Sequence, residues 1–380
     1  MEKKKILYIT GTRADYGLMQ STLKKINSCP ALELHVIVTG MHLMPEFGYT
    51  AKEIMEDGFN TVLVPATYEK DTREAMSGFV GSFISNLTGI LRKIKPDTIL
   101  LLGDRGEMLA GAVVGTYLGI PVIHIHGGEI SSTVDDTARH AITKLSHIHF
   151  PATEKSAERI IRMGENPKNV FVVGAPGLDS IVNETLIEPE EIIRKYNLSK
   201  PFTLTIQHPV SEEIEDAGNQ IQQTLDAVIE SQLPTVLVYP NADAGGREMI
   251  DAIKQYESNP LIRTYKSIPR KEFLSLMKAS SVLIGNSSSG IIEAASFHTP
   301  VINIGTRQSG RERAENVLDS NYSKEDIKRN IRKCLYDADF KHVVKTCKNP
   351  YGEGKTGEKI VDLLCRMKLD GSLLQKTMIY

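Results

Sequence analysis

At 380 residues the chain is too long for one typical core, and the domain-size prior predicts two domains, each able to bury a sizeable core. Hydrophobic residues make up 41% and charged residues 24%, and the formal net charge is -2, so no global field argues for nucleic acid or membrane as a partner. Any anionic ligand must therefore be held by local basic residues, and the four scattered cysteines (Cys29, Cys334, Cys347, Cys365), with no CxxC pair, argue against a zinc knuckle or disulfide framework and for a reducing cytoplasm.

The basic start MEKKK runs into a short apolar stretch that ends before Thr10, Gly11 and Arg13, too short for a signal segment and read as a first buried strand. From there short runs rich in Ile, Val and Leu alternate with longer amphipathic stretches, which predicts parallel sheets covered on both faces by helices. The strand candidates of the first half are 6–10, 33–40, 61–65, 98–103, 121–127, 147–151 and 169–174. Residues 108–127 are fairly apolar, yet Gly119, Pro121, His124 and His126 interrupt them, so no bilayer span is expected. The polar, Pro-flanked stretch 185–201 reads as a linker, and strand candidates resume at 202–209, 235–241, 261–266, 281–286 and 301–305. From Thr356 to about Lys368 the spacing is helical, with Ile360, Val361, Leu364 and Met367 on one face. The expected fold is α/β, two doubly wound parallel-sheet, Rossmann-like domains, residues 1–180 and residues 181–355, with 356–380 as a helix crossing back to the first domain.

In open α/β sheets the ligand sits beyond the carboxyl ends of the strands, so polar residues directly after apolar runs are the candidates. The first run ends in GTRADYG, where Gly11 permits close approach and Arg13, with Asp15 nearby, could reach a phosphate; a tight turn with an exposed arginine is the plainer reading. The motif is not GxGxxG, which weakens a dinucleotide reading. A denser group follows in GDRGEM, HIHGGE and VDDTARH. Asp104 comes directly after a strand, His124 and His126 are two apart and so share a face of the next, and Glu129, Asp135, Asp136, Arg139 and His140 lie close behind. Asp104 and His126 are expected to share one pocket. HxH near carboxylates can bind zinc or iron, but the other groups here can move protons without a metal, and neither metal nor cofactor is expected.

In the second half GNSSSGIIEA places Asn286, Ser287, Ser288 and Ser289 where a strand gives way to a helix, an arrangement suited to a diphosphate and equally common as a plain cap. Glu293, one turn on, could accept hydrogen bonds from a ribose diol. Arg307, Arg311 and Arg313 in GTRQSGRER could add charge-assisted phosphate contacts, or form a solvated basic loop. His208, before Pro209, is also at a strand terminus.

Taken in order, GTRADYG, VTGMHLM, GDR, HIHGGE, VDD with RHAITKLSHIH, QHPV, YPN, GNSSSGI and GTRQSGR resemble the hydrolysing UDP-N-acetylglucosamine 2-epimerases over nearly the whole chain. The resemblance implies the two-lobed glycosyltransferase-B architecture with a UDP-sugar held between the halves. It implies conversion of UDP-N-acetylglucosamine and water to UDP and N-acetylmannosamine, the entry to sialic acid synthesis, and a homodimer or homotetramer. Asp104 matches a catalytic acid/base, Asp135 and Arg139 match active-site positions, His208 matches the cleft histidine, and Arg13, Ser287, Ser288 and Glu293 match positions that hold the nucleotide.

One departure stands out. His126 occupies the place of a second catalytic carboxylate, expected in a pattern such as HIEGGE, while Glu129 is retained three residues later. Either His126 takes the base role, or Glu129 or Asp135 reaches in, or the sugar differs, as in UDP-2,4-diacetamido-2,4,6-trideoxyglucose. A glycosyltransferase needing an acceptor is the alternative from another class.

Overall fold

A computed structural model describes residues 3–45, 48–66, 73–130, 135–183, 185–210, 213–240, 245–377 and 379, with the backbone alone for Arg73 and Asp135. The chain divides into two compact units: one of residues 1–129, 134–183 and 351–380, the other of 130–133 and 184–350.

The first unit is built on a six-stranded sheet, β1 (Lys4–Thr10), β2 (Leu32–Val38), β3 (Asn60–Leu63), β4 (Thr98–Leu102), β5 (Val122–Ile125) and β6 (Ile148–Phe150), in the order β3-β2-β1-β4-β5-β6. Its helices are α1 (Arg13–Ser28), α2 (Ala51–Glu56), α3 (Arg73–Ile94), α4 (Gly106–Leu118), α5 (Asp135–Leu145), α6 (Glu154–Arg162) and α7 (Gly177–Asn183). Every strand pair is parallel. Alternate residues of β1 enter opposite cores, Ile6 and Tyr8 on one face and Leu7 and Ile9 on the other, which is why the run is apolar throughout rather than alternating.

The second unit repeats the plan with β7 (Thr203–Ile206), β8 (Thr235–Val238), β9 (Ile262–Tyr265), β10 (Val282–Gly285), β11 (Val301–Ile304) and β12 (Val317–Ser320), in the order β12-β11-β10-β7-β8-β9, again all parallel. Its helices are α8 (Pro189–Lys195), α9 (Ala217–Glu230), α10 (Gly246–Lys254), α11 (Arg270–Ala279), α12 (Ser288–Ile292), α13 (Lys324–Tyr336) and α14 (Ala338–Thr346). The strand order reverses between β1 and β4 in one sheet and between β7 and β10 in the other. Each reversal opens a crevice at the carboxyl ends, and Gly11, Asp104, His208 and Asn286 follow those four strands.

The helix α15 (Thr356–Arg366) belongs to the first unit. Ile360 and Leu364 are fully buried in the core that α1 covers, with Val361 and Met367 packed beside them. Asp179 of α7 caps its start, accepting from the Thr356 and Gly357 N–H groups at 2.8 and 2.7 Å, and Lys4 Nζ donates to the Leu364, Cys365 and Met367 carbonyls at its end. All four thiols are free, and Cys29 and Cys365 stand 3.6 Å apart.

Three elements differ from the sequence expectation. Residues 169–174 form only a bridge, Val170 to His149, and then run as an extended edge, Phe171 and Val173 donating to the His149 and Pro151 carbonyls. The stretch 185–201 is not a loose linker: Pro189 sits at the first position of α8, and Ile192 and Tyr196 are buried in the core of the second unit. Strand β12 is an addition: this edge strand reads VLDS, too short and half polar to form an apolar run.

Candidate active site

In the first unit, β4 ends at Leu102 and Gly103 turns the chain at φ +79°, so that Asp104 stands at the carboxyl end of the sheet. His124, fully buried in β5, holds that turn: its Nε2–H donates to the Gly103 carbonyl at 2.8 Å, and Nδ1 lies 3.1 Å from Thr143 Oγ1 of α5. Burial drives the His124 pKa down to about 3, so the ring is a neutral brace.

Arg139, one turn into α5, is buried and ties the first turn of its own helix to the segments after β4 and β5. Its guanidinium donates to the Asp104 and Asp136 carboxylates and, at 3.0 Å, to the Glu129 carbonyl. Burial opposes its charge, but Asp104, Glu129 and Asp136 outweigh that and raise its pKa above the usual guanidinium value. Asp136, which reads equally well as a helix cap, is thus also part of an ion triad.

The alternation of β5 stops at Ile125, because His126 adopts the left-handed conformation at φ +62°, which costs a non-glycine residue about 1 kcal/mol or more. The turn aims its ring at Glu129, with Nδ1 2.5 Å from Glu129 Oε1, while Nε2 has no protein partner among the described residues. The glycines between them are a steric need. At Gly128, with φ +76°, a Cβ would lie 2.2 Å from the Ser156 carbonyl oxygen. Asp104 and His126 are therefore connected through Arg139 and Glu129.

The remaining first-unit candidates divide. Arg13 is half exposed and pairs with Glu53 at 3.4 Å. Asp15 is buried, and its carboxylate is taken up by the Gly11 and Thr12 N–H groups and the Thr10 and Thr12 hydroxyls, completing the capping box of α1. Read in the sequence as a ligand contact, it instead holds the turn that presents Arg13. The Asp135 side chain lies outside the described residues.

In the second unit β10 closes against β7 at Gly285, where a Cβ would stand 1.9 Å from the Ile206 carbonyl oxygen. Asn286 clasps the backbone of His208, Oδ1 accepting from its N–H at 2.7 Å and Nδ2 donating to its carbonyl at 2.9 Å, so the asparagine positions His208. The Asn286 carbonyl in turn accepts from Arg307 Nη1 at 3.3 Å and Gln308 Nε2 at 2.8 Å. Ser287 caps α12, its Oγ accepting from the Ser289 N–H at 3.4 Å and lying 2.9 Å from Ser289 Oγ, while Ser288 opens the helix. Glu293 is buried: Oε1 accepts from Arg270, and Oε2 has no hydrogen-bond partner among the described residues. A buried carboxylate oxygen left so is costly unless a ligand donor meets it, which suits a diol. Arg313 is committed to Asp319 and the Gln308 carbonyl, while Arg311 lies two residues before it in the same loop, its carbonyl accepting from Arg313 Nε.

Two site residues were not legible in the sequence. Arg270 opens α11 rather than following a strand, so nothing marks it as the partner of Glu293. Glu107 is a buried carboxylate whose Oε1 sits where a Cβ on Gly11 or Gly40 would be, 2.2 and 2.9 Å away. Its one signal was its place in GDRGE. Among the described residues no group of three or more His, Cys, Asp or Glu could hold a metal ion, and no helix is long and apolar enough to cross a membrane.

Two Rossmann-like sheets, each with its polar cluster at the switch point, define a nucleotide-handling α/β protein of the glycosyltransferase-B type. The family model described as UDP-N-acetylglucosamine 2-epimerase matches residues 24–365, and the chain belongs to that family. It is 41% identical over 380 residues to the UDP-N,N'-diacetylbacillosamine 2-epimerase (hydrolyzing) of Legionella pneumophila, covering 99% of this chain and 100% of that protein. It is 39% identical over 326 residues to the UDP-N-acetylglucosamine 2-epimerase of Neisseria meningitidis serogroup B, covering 85% of each. In fold it matches the crystal structure of UDP-GlcNAc 2-epimerase from Neisseria meningitidis bound to UDP-GlcNAc, with a TM-score of 0.81 at 18% identity over 96% of this chain and 100% of that one.

Proposed function

We propose that this UDP-sugar 2-epimerase is of the hydrolysing type, converting a UDP-2-acetamido sugar and water to UDP and the free 2-epimer. The second unit holds the nucleotide: the α12 N–H groups, Arg307 and Arg311 take the diphosphate, Glu293 takes the ribose diol, and His208 lies beside them. The C1–O bond breaks with its electron pair going to the phosphate oxygen, while the C2 proton passes to a base and a C1=C2 glycal forms. Water then adds its oxygen to C1, and a proton returns to C2 on the opposite face. Opposite faces need two proton-transfer groups, and Asp104 and the His126–Glu129 pair supply them. Arg139 orients Asp104 by donating to its carboxylate.

The observation that carries this reading is the His126–Glu129 hydrogen bond. The imidazole stands where the resemblance predicts a carboxylate, and the carboxylate behind it orients the ring and restores the negative charge that an imidazole lacks. UDP-N-acetylglucosamine, yielding N-acetylmannosamine, is one substrate that fits. The end-to-end likeness to the Legionella pneumophila enzyme favours a second, UDP-2,4-diacetamido-2,4,6-trideoxyglucose.

Proton NMR of both nucleotide sugars with the protein in deuterated water tests the proposal. Free UDP and a free 2-epimer carrying deuterium at C2 are expected. An epimer still linked to UDP, or no sugar product without an added acceptor, would overturn it.

A further inference from the structure

Between α3 and the start of α4 the first unit contains a cavity of about 190 Å³, lined by Met76, Ser77, Phe79 and Val80 of α3 and by Arg105, Gly106 and Glu107. Resting on the proposed reaction, we infer that this cavity is the subsite for an acetamido group on C4 of the sugar, and that it sets the preference for a 2,4-diacetamido sugar. Four heavy atoms, at the roughly 30 Å³ that each water takes in the liquid, need on the order of 100 Å³, so the group fits.

The lining matches its chemistry. Glu107 is 2% exposed, so its carboxylate calls for donors in place of water, and Arg105 Nε stands 3.5 Å from Oε2. An amide N–H is such a donor, an amide carbonyl can accept from a guanidinium, and the acetyl methyl meets the buried Phe79 ring and Val80. A hydroxyl would satisfy Glu107 equally but would leave the apolar wall against water.

The strand order points to C4. Asp104 and His126 follow β4 and β5, so C1 and C2 must lie over those ends. Glu107 instead packs on Gly11 and Gly40, after β1 and β2, on the other side of β4. With C2 over β4 and β5, the far edge of the ring lies toward Glu107.

The test is the ratio of kcat/KM for UDP-2,4-diacetamido-2,4,6-trideoxyglucose over UDP-N-acetylglucosamine, in the wild type and in the cavity-filling variants Met76→Trp and Val80→Phe, with thermal melts to show that each folds. Met76 is 45% exposed, so its replacement carries little folding risk. The wild type is expected to prefer the diacetamido sugar, and the filled cavity to lower the ratio about 10-fold or more, the range a misfitting apolar pocket commands. Equal losses on both sugars would place the shared C2 acetamido group in the cavity instead, and an unchanged ratio with no loss would show that no sugar group enters it; either overturns the inference. If the wild type turns over neither sugar, the reaction itself fails, and calorimetric affinities of the same two nucleotide sugars then decide the subsite by the same ratio.

Discussion

His126 adopts a left-handed backbone conformation, and Gly127 and Gly128 behind it bring Glu129 back to its ring. A histidine oriented by a carboxylate is a general base in its own right, so replacing the imidazole should cost more than weakening its support. His126→Ala is expected to lower kcat by about 10²- to 10⁴-fold, the usual contribution of a positioned base. Glu129→Gln, which keeps an acceptor but loses the charge, is expected to fall between that variant and the wild type. Steady-state kinetics on the three proteins, with UDP inhibition as the binding control, makes the comparison. Equal and mild losses would remove the pair from catalysis.

At the scale of elements, α5 is fixed at both ends. Its first turns carry Asp136 and Arg139. The carbonyls of Thr143 and Lys144 in its last turn, and of Ser146 just beyond it, accept from Lys376 Nζ at 3.1, 2.7 and 2.5 Å, and Glu165 Oε2 stands 2.7 Å from the same ammonium. Thr143 also donates to the Arg139 carbonyl and touches His124, which holds Gly103 before Asp104. The C-terminal segment is therefore a positioning element for Arg139 and Asp104. Lys376→Met is expected to lower kcat several-fold without changing the inhibition constant of UDP, and Lys376→Arg to recover part of the loss. A changed affinity for UDP with normal kcat would contradict this role.

For the molecule as a whole, acid should act first on the first unit. His124, His42 and His147 are buried there and held neutral, burial bringing their pKa values down to about 3, 4 and 4 from 6.5. Between pH 6.5 and those values the unfolded chain binds protons that the folded unit does not, so stability falls as pH falls, by about 1.4 kcal/mol per pH unit for each proton so taken up. Glu165 acts in the same direction lower down: its hydrogen bonds with His149, Lys144 and Lys376 outweigh burial and bring it to about 2 from 4.5. Hydrogen exchange at pH 7 and pH 4.5 is expected to show protection lost in residues 1–129 and 134–183 before 184–350. Uniform loss across both units would contradict the assignment.

What could be read in the sequence was what depends on nearest neighbours along the chain. Every strand but β12 overlaps a stretch that the sequence marks as a strand, most plainly the central ones, which are buried on both faces, and of the stretches so marked only residues 169–174 failed to join a sheet. The motifs at the strand ends followed, because a parallel sheet delivers every carboxyl end to one side. Pairing across the fold was not legible. Whether Asp15 meets a ligand or its own helix cap, whether His126 stands alone or against Glu129, which cation meets Glu293, and that Lys376 holds α5 all depend on side chains brought together from distant segments. Polar groups removed from water must find partners wherever the fold places them, and no local periodicity records which they are.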